Sequence, residues 1–569
     1  MDVLIVFGFI AAALIVALVV NIVLQKKKIK RFAERLRKNF GKFERKEPDY
    51  ERTSYTGYFL RHLEDEGFVV DDITWNDAEG ETLFASMNKC YSSCGEEYLY
   101  HTLRHFDINK DEEEIKKYTS QTDALIENAD IRVKLQLLLA TLGKTGKHSV
   151  FEYISLLSDV KKVPLIVFYL IWLIYILVIG SYFIDVTLGV CLTIAWMIIC
   201  VIIYISHNKK VQNYFTSFEY IVRTLMISEK VVKLNVPFYE EENRALAELR
   251  KKLKGVKTAY LSFIKQSNRT GIADMMSGMT ALLNCFFLVD IFFFYKMLKY
   301  VIENEDAYDK LFAILGKMET EVCVANLKAS LEDACVPDFT DDKNIKAVDM
   351  IHPLVKNCVS NSFENEKGML ITGSNASGKS TFLRAVLVNA ILSESVHLAC
   401  AKEFALKPAL LYSSMSLSDS LGSGESYYMA EINSIKRIID AKESGENIIC
   451  FLDEVLRGTN TVERVAAATK ILEFLTGDNI ITLAATHDIE LTYLLEKEYD
   501  NHFFREEIKK DEDDKEDIYF SYKIYDGRSD TRNALKLLKI KEYPEEIYAK
   551  AEILSKEFLN TGKWQYDEG

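Results

Sequence analysis

The feature that most constrains this chain is a short glycine- and serine-rich stretch between two apolar segments. It reads Gly373-Ser374-Asn375-Ala376-Ser377-Gly378-Lys379-Ser380-Thr381 and fits the pattern G-x-x-x-x-G-K-[ST] of a P-loop. The apolar residues 369–372 before it predict a strand, and residues 382–387 after it predict a helix. The sequence therefore predicts a strand, a phosphate-binding loop and a helix, in that order.

Each residue type in this loop has a physical reason. Glycines let the backbone turn so that successive N–H groups point at phosphate oxygens, and the helix that follows presents its positive end to the same anion. Lys379 can reach the β- and γ-phosphates, and the Ser380 hydroxyl can hold Mg²⁺. ATP and Mg²⁺ are therefore the predicted cofactors.

Two apolar segments farther along end in side chains that suit ATP hydrolysis. Residues 448–452 lead into Asp453 and Glu454, and residues 481–485 lead to His487. Asp453 is predicted to hold Mg²⁺ through water, and Glu454 to orient or deprotonate the attacking water. His487, one strand later, suits a γ-phosphate sensor. The alternative reading of the acids is a buried strand with capping carboxylates, which the P-loop upstream makes the weaker one.

A serine at the start of a predicted helix precedes the acidic strand. Residues 422–431 include Ser426, whose hydroxyl and neighbouring free N–H groups could face an anion. By itself this pattern is equally an ordinary helix cap. Together with the P-loop, the Asp-Glu strand and the His strand, it describes an ABC-type ATPase. In such enzymes the serine helix of one subunit covers the nucleotide of the other, so a homodimer is predicted.

Three apolar runs are predicted to span a membrane. Residues 3–24 form a run of about one bilayer length, followed by a basic stretch from Lys26 to Arg31. Residues 164–184 and 186–206 form a hairpin with lysine pairs on both flanks. The positive-inside rule places these flanks, and the ATPase domain, in the cytoplasm. The lipid bilayer is therefore a predicted partner, and the basic stretch is read as lying on anionic lipid rather than on nucleic acid.

Residues 281–298 are a further apolar candidate, which we interpret as a buried core helix. The run is short for a span and contains Asp290 and Lys296. An ionised Asp at the middle of a bilayer costs several kcal/mol. Around it, residues 212–332 carry a long helical pattern with few breakers, which predicts struts or levers.

The predicted fold is an α/β P-loop ATPase domain of the ABC type joined to a long-helix core or lever domain, with three transmembrane helices. The predicted order is a transmembrane anchor (1–25), a basic juxtamembrane helix (26–67), a first part of the helical core (68–160), a transmembrane hairpin (161–210), a second part of the core with the levers (211–345), and the ATPase domain with a C-terminal helical dimer contact (346–569).

These motifs resemble the MutS family of DNA mismatch-repair ATPases. Residues 371–384 look like the family's P-loop, 426–431 like its signature helix, 452–461 like its acidic strand and following loop, and 485–491 like its His strand. His352-Pro353 and the tail from Asp526 to Leu554 resemble further family features. The regions that should precede the core, for mismatch reading and connection, are not recognisable. The resemblance therefore implies a membrane-anchored, MutS-related branch.

The resemblance does not specify the partner on which the ATP-driven motion acts. DNA could be held between the levers, or the motor could act on a membrane or protein partner without DNA. A third reading, half of a transporter, is weakest because the three spans contain almost no ionisable residue. The formal net charge of -14 disfavours a surface generally adapted to nucleic acid.

Overall fold

The computed structural model describes residues 2–146, 149–152, 160, 162–213, 215–258, 285–374, 377–415, 427–510, 516–528, 534–541, 543–562 and 564. The part of the chain up to residue 328 is mostly helical. Its elements are α1 (Asp2–Asn39), α2 (Gly57–Arg61), β1 (Phe68–Val69), α3 (Asp72–Asp77), α4 (Gly80–Met87), α5 (Ser93–Arg104), β2 (His105–Phe106), α6 (Glu112–Glu127), α7 (Ala129–Ala140), α8 (Ile166–Ser181), α9 (Val186–Asn213), α10 (Phe215–Leu234), α11 (Glu240–Lys252), α12 (Val289–Glu303) and α13 (Glu305–Lys328).

The first helix joins the predicted anchor and part of the predicted basic segment into one element. α1 ends at Asn39, so the prediction of a basic helix that continues to residue 67 is wrong beyond that point. Gly41 follows the helix end with a φ of +73°, a conformation typical of a helix C-terminus. Its N–H donates to Asn326 Oδ1 at 3.0 Å. The chain therefore leaves the helix here and runs along the core.

The predicted hairpin is present as two antiparallel apolar helices. α8 ends at Ser181 and α9 begins at Val186, so the reversal falls close to the predicted boundary between residues 164–184 and 186–206. Within the described residues, the stretch Val186–His207 is long and apolar enough to cross a membrane, and Ile166–Ser181 is apolar but shorter. The suitability of Val186–His207 for a membrane rests on its length and composition alone. That three helices span a membrane stays a prediction.

The apolar run 281–298 is interrupted rather than continuous. Residues 285–287 form a helical turn, Leu288 has a left-handed φ of +54°, and α12 begins at Val289. Residues 281–284 lie outside the described part of the chain. Because a bulky residue in this conformation interrupts the regular helix, the part of the run from Val289 onward enters the core as the start of a separate helix, which continues to Glu303.

The centre of the helical region is the contact between α13 and α5. Gly316 of α13 leaves room for this contact, since an added Cβ would lie 2.5 Å from the Tyr98 Cβ and 2.7 Å from the Cys94 carbonyl oxygen. On the same helix, the buried Glu319 carboxylate accepts a hydrogen bond from the Tyr91 N–H at 2.6 Å. Burial raises the pKa of Glu319 to about 7. The two helices are therefore joined by close backbone packing and by a buried polar contact.

The second half of the chain is an α/β domain. Its elements are β3 (Asp338–Phe339), β4 (Ile345–Met350), β5 (Asn361–Asn365), β6 (Gly368–Thr372), α14 (Lys379–Val396), β7 (Glu403–Leu406), β8 (Leu410–Ser414), α15 (Tyr427–Lys442), β9 (Ile448–Asp453), α16 (Thr461–Phe474), β10 (Ile480–Ala485), α17 (Ile489–Leu494), β11 (Tyr499–Lys510), β12 (Glu516–Asp526), α18 (Ala534–Ile540) and α19 (Glu545–Thr561).

Two sheets organise this domain. The larger has the strand order β12-β11-β6-β10-β9-β8, in which β12 alone is antiparallel to its neighbour. The smaller has the order β3-β7-β4-β5. Strands β6, β9 and β10 consist of buried and mostly apolar residues, with intermediate exposure only at Asp453, as expected for parallel strands covered on both faces. The predicted α/β ATPase fold is therefore present in the structure.

A shared core and several polar contacts join the helical region to the α/β domain. The hydrophobic core cluster includes Trp75 and Leu99 from the first and Ile371 and Leu483 from the second. The Ser413 hydroxyl on β8 donates to the Asp77 carboxylate on α3 at 2.6 Å. These contacts place the helical core directly against the sheet that carries the P-loop.

Candidate functional site

The functional residues predicted from the P-loop and the two later strands meet at one edge of the large sheet. β6 pairs in parallel with β10, and β10 pairs in parallel with β9, with Ala485 opposite Asp453. Parallel neighbours end at the same edge, so the residues that follow each strand come together there. This explains why segments about 75 and 110 residues apart in the sequence build a single site.

The P-loop connects β6 to α14 as predicted. Gly373 and Gly378 have φ values of +142° and +106°, which a residue with a side chain rarely adopts. Lys379 is the first residue of α14, and its amino group donates to the carbonyl oxygens of Gly373 at 2.7 Å and Ser374 at 3.0 Å. Burial lowers the pKa of Lys379 to about 8.

The structure gives the surroundings of two further residues of the loop, Ser377 and Thr381. The Ser377 hydroxyl donates to the Ser374 carbonyl oxygen at 2.7 Å and so holds the turn closed. Thr381 borders a cavity beside the loop. Asn375 and Ala376, which we also predicted to bind ATP, lie outside the described residues.

The predicted magnesium ligands lie next to each other. Ser380 in the first turn of α14 hydrogen-bonds to the Asp453 side chain at the end of β9. Burial raises the pKa of Asp453, while the contacts with Ser380 and Lys379 act in the opposite direction. A hydroxyl and a carboxylate are hard oxygen donors, which Mg²⁺ prefers. These two residues therefore fit the metal that we predicted from the sequence.

Glu454 and His487 are in direct contact. The Glu454 carboxylate lies 2.9 Å from His487 Nε2, and its other oxygen accepts from Arg457. The hydrogen bonds from His487 and Arg457 lower the pKa of Glu454 to about 2, against the effect of burial. His487 Nε2 is also 3.5 Å from the Lys379 amino group. Lys379, His487 and Glu454 thus form one continuous row of side chains.

Arg457 is a member of the site that we did not single out from the sequence. Its side chain contacts Glu454, and its backbone N–H donates to Glu431 Oε1 at 3.2 Å. Glu431 belongs to α15, so this contact joins the loop after β9 to the helix of the predicted signature. The one signal in the sequence was its position three residues after Glu454.

The helix of the predicted signature begins at Tyr427. Ser426, with the rest of 416–426, lies outside the described part of the chain. Its role opposite the nucleotide of a second subunit therefore stays a prediction.

A cavity of about 370 Å³ lies beside the P-loop. Its lining includes His352, Cys358, Asn361, Phe382 and Tyr522. Burial, together with nearby arginines, lowers the pKa of His352 to about 4, so the imidazole is neutral at physiological pH. With apolar and aromatic walls and a few polar groups, the cavity has the character of a small-molecule site. Sequence reasoning did not find it, because its lining comes from four separate segments of the chain.

Comparison with known proteins agrees with this geometry. Residues 369–559 match the family model of MutS domain V. The DNA mismatch repair protein MutS of Halothermothrix orenii is 27% identical over 283 residues, which cover 48% of this chain and 31% of that protein. The MutS protein of a Thermotoga species is 30% identical over 271 residues, covering 46% and 33%, and that of Bacillus licheniformis is 30% identical over 264 residues, covering 44% and 30%. This chain spans about a third of the length of these curated relatives.

Proposed function

This chain belongs to the MutS family through its domain V, and from that premise we propose that it is an Mg²⁺-dependent ATP hydrolase anchored in a membrane. The observation that carries the proposal is the convergence of Lys379, the Ser380–Asp453 pair and the Glu454–His487 pair at one edge of the sheet. Phosphoryl transfer to water uses parts of this kind: a phosphate-binding loop, a pair of magnesium ligands, and an acid, here beside a histidine.

The side chains divide the reaction between them. Lys379 would move from its carbonyl partners to the β- and γ-phosphates. Ser380 and Asp453 would hold Mg²⁺, which would supply positive charge near the phosphates. Glu454 has a pKa of about 2 and is therefore a weak proton acceptor. We infer that it acts mainly by orienting the attacking water, while His487 contacts the γ-phosphate. The cavity beside Thr381 and Phe382 receives the nucleoside.

The proposed dimer closes around the nucleotide. The relatives that carry this domain are named as DNA mismatch repair proteins, and the notion of a shared site rests on the resemblance of residues 426–431 to their signature helix. In this proposal Ser426 of one copy covers the ATP of the other, and α18 and α19 contribute to the contact between copies. ATP binding then pulls two P-loop domains together.

The proposal of a membrane anchor rests on exposed apolar helices. Leu177 and Phe183 of the hairpin are 65% and 91% exposed, and 11% of the apolar stretch of α9 is buried. A contiguous apolar surface of this kind is unfavourable in water and suits hydrocarbon. We propose that α1 and the hairpin span the bilayer with the ATPase domain on the cytoplasmic face.

A chain of charges supports coupling between the ATPase domain and the anchor. Glu79, between α3 and α4, lies 3.6 Å from Arg384 of α14 and 2.9 Å from Arg45 of the segment that follows α1. α14 is the helix that begins with Lys379. A movement of α14 on ATP binding would therefore act on the segment that leads to the membrane.

This coupling predicts the behaviour of Glu79→Gln. We expect ATP turnover to stay within about fivefold of wild type, because partly exposed ion pairs contribute only about 0.2–1 kcal/mol each. The ATP-dependent change in hydrogen exchange of residues 40–56 should be lost, since Gln cannot hold both arginines by charge. Hydrogen-exchange mass spectrometry with and without ATP measures this. Glu64→Gln, a change at an exposed carboxylate before β1, is the matched control, and an unchanged ATP response in Glu79→Gln would contradict the coupling.

We propose two candidates for the partner on which the ATP-driven motion acts: DNA, and a membrane or protein target without DNA. The relatives' name favours DNA, whereas the net charge of -14 favours a target without DNA. The test is ATP turnover of the detergent-solubilised full chain with and without duplex DNA. A DNA partner gives stimulation that falls steeply between about 50 and about 200 mM salt, because counterions are released from phosphates. If DNA does not change ATP turnover at any salt concentration, the result supports a membrane or protein target.

A further inference from the structure

The first turns of α8, at one end of the apolar hairpin, contact α12 through aromatic side chains. Phe292 of α12 lies against Phe168, Tyr169 and Trp172 of α8, with ring centroids 5.0–5.8 Å apart. Tyr295, one turn later, lies 5.9 Å from Phe168. The two helices therefore pack side by side at the end of α8 that faces the ATPase domain in our proposal.

The polar groups of the broken run are paired with the hairpin. Trp172 Nε1 donates to the Phe287 carbonyl oxygen at 2.8 Å, and the Tyr175 hydroxyl donates to the Phe286 carbonyl oxygen at 2.8 Å. Carbonyl groups freed by a helix break need such partners in an apolar surrounding. Trp172 and Tyr175 are six and nine residues beyond the start of α8, or about 9 and about 14 Å along the helix. The break is thus level with the hydrocarbon if α8 spans a bilayer.

A cavity of about 470 Å³ opens where α8 and α12 reach the water side of this level. Its walls are mainly apolar and include Pro164, Ile166, Tyr295 and Ile302. Its rim carries Lys162 and Lys299, and Glu303 beside Lys299 at 3.7 Å. An apolar cavity with lysines at the lipid–water boundary complements an anionic amphiphile.

We propose that this cavity binds one anionic phospholipid of the surrounding bilayer. The phosphodiester lies between Lys162 and Lys299, and an acyl chain follows the exposed apolar face of α8, where Ile166 is 61% exposed. The inference rests on the proposed membrane anchor and goes beyond it, because it specifies a lipid class and a site. Since α12 is followed directly by α13, the lipid would lie near the start of α13, the central helix of the core.

The experiment uses the full chain in detergent micelles that contain lipids brominated in the acyl chain. Bromine quenches nearby tryptophan, so the variant Ile166→Trp reports occupancy of the cavity mouth. We expect brominated phosphatidylglycerol to quench this tryptophan at roughly fivefold lower mole fraction than brominated phosphatidylcholine, given the attraction of a surface lysine for anionic lipid. Soluble glycerol phosphate should not compete, which separates a lipid headgroup from free phosphate.

Replacing both Lys162 and Lys299 with Gln in the Ile166→Trp background should abolish the preference for phosphatidylglycerol. The matched control is Lys134→Gln with Lys233→Gln, which changes the net charge equally; Lys233 pairs with Glu229 at the same helical spacing as Lys299 with Glu303. The control pair should retain the preference. If the double variant at the cavity fails to fold, the lipid preference of Ile166→Trp alone decides the matter.

Two failures can be told apart. Quenching of Ile166→Trp to the same extent by both lipids overturns the cavity proposal, whereas the membrane anchor stands if the native Trp172 and Trp196 are quenched. If neither lipid quenches the native or the introduced tryptophans, both the anchor and the lipid site are overturned. Competition by glycerol phosphate would replace the phospholipid with a soluble anion and also overturn the proposal.

Discussion

Replacing Glu454 with Gln is expected to lower ATP turnover by about 10²- to 10⁴-fold while ATP stays bound. Glutamine keeps the size of the side chain but removes the charge that accepts hydrogen bonds from a water and from His487. Lys379, Ser380 and Asp453 are untouched, so binding of the nucleotide and the metal should persist. Steady-state phosphate release and retention of labelled ATP measure the two effects separately.

The same variant tests the proposed dimer. Without hydrolysis, ATP and Mg²⁺ should hold two copies together, and light scattering of the solubilised protein should show a dimer that dissociates when Mg²⁺ is chelated. Glu473→Gln, on the far end of α16, is the control and should behave as wild type. Rapid turnover in Glu454→Gln would contradict the assigned role, and a monomer in the presence of ATP would contradict the dimer.

Replacing Lys379 with Ala should weaken ATP binding by about 10- to 100-fold, the value of losing charged hydrogen bonds to phosphate. Turnover should be lost with it, because the positive charge at the γ-phosphate is absent in the transition state as well. Binding of a fluorescent ATP analogue and turnover give the two quantities. Lys367→Ala, an exposed lysine before β6, is the control. Tight ATP binding in Lys379→Ala would show that the P-loop has another function.

Mixing experiments extend this prediction to the residue outside the described structure. In a mixed dimer of Lys379→Ala and Ser426→Ala chains, one composite site carries both changes and the other carries neither. If the sites are shared between copies, mixing two inactive proteins should restore up to about half of the activity per dimer. No recovery on mixing would place Ser426 in the site of its own chain.

The residues that we propose as catalytic could be predicted from the sequence because each one lies at the end of an apolar strand or just after it. Asp453 is the last residue of β9, Glu454 follows it, and His487 comes two residues after β10, so a local pattern was sufficient to find them. Parallel pairing then brings strand ends together without any further information. The P-loop needed even less, since its glycines and Lys379 form one continuous motif.

What could not be predicted depends on contacts between distant segments. The pairing of Glu79 with Arg384 joins residues more than 300 positions apart, and no pattern around Glu79 points to the P-loop helix that carries Arg384. The break at Leu288 occurs inside an apolar run, and the side chains that satisfy the carbonyl groups beside it, Trp172 and Tyr175, belong to a distant segment. Likewise α1 ends at Asn39, and the Gly41 N–H that follows it bonds to Asn326, far along the chain.

The packing at Gly316 has a consequence for how any motion must travel. The space between this glycine and Tyr98 does not admit even a methyl group, so α13 cannot slide along α5 without a steric clash. The pair must turn as a single rigid piece. Bending is then confined to the segments at the two ends of the α13–α5 pair, where partly exposed arginines and carboxylates can exchange partners at small energetic cost.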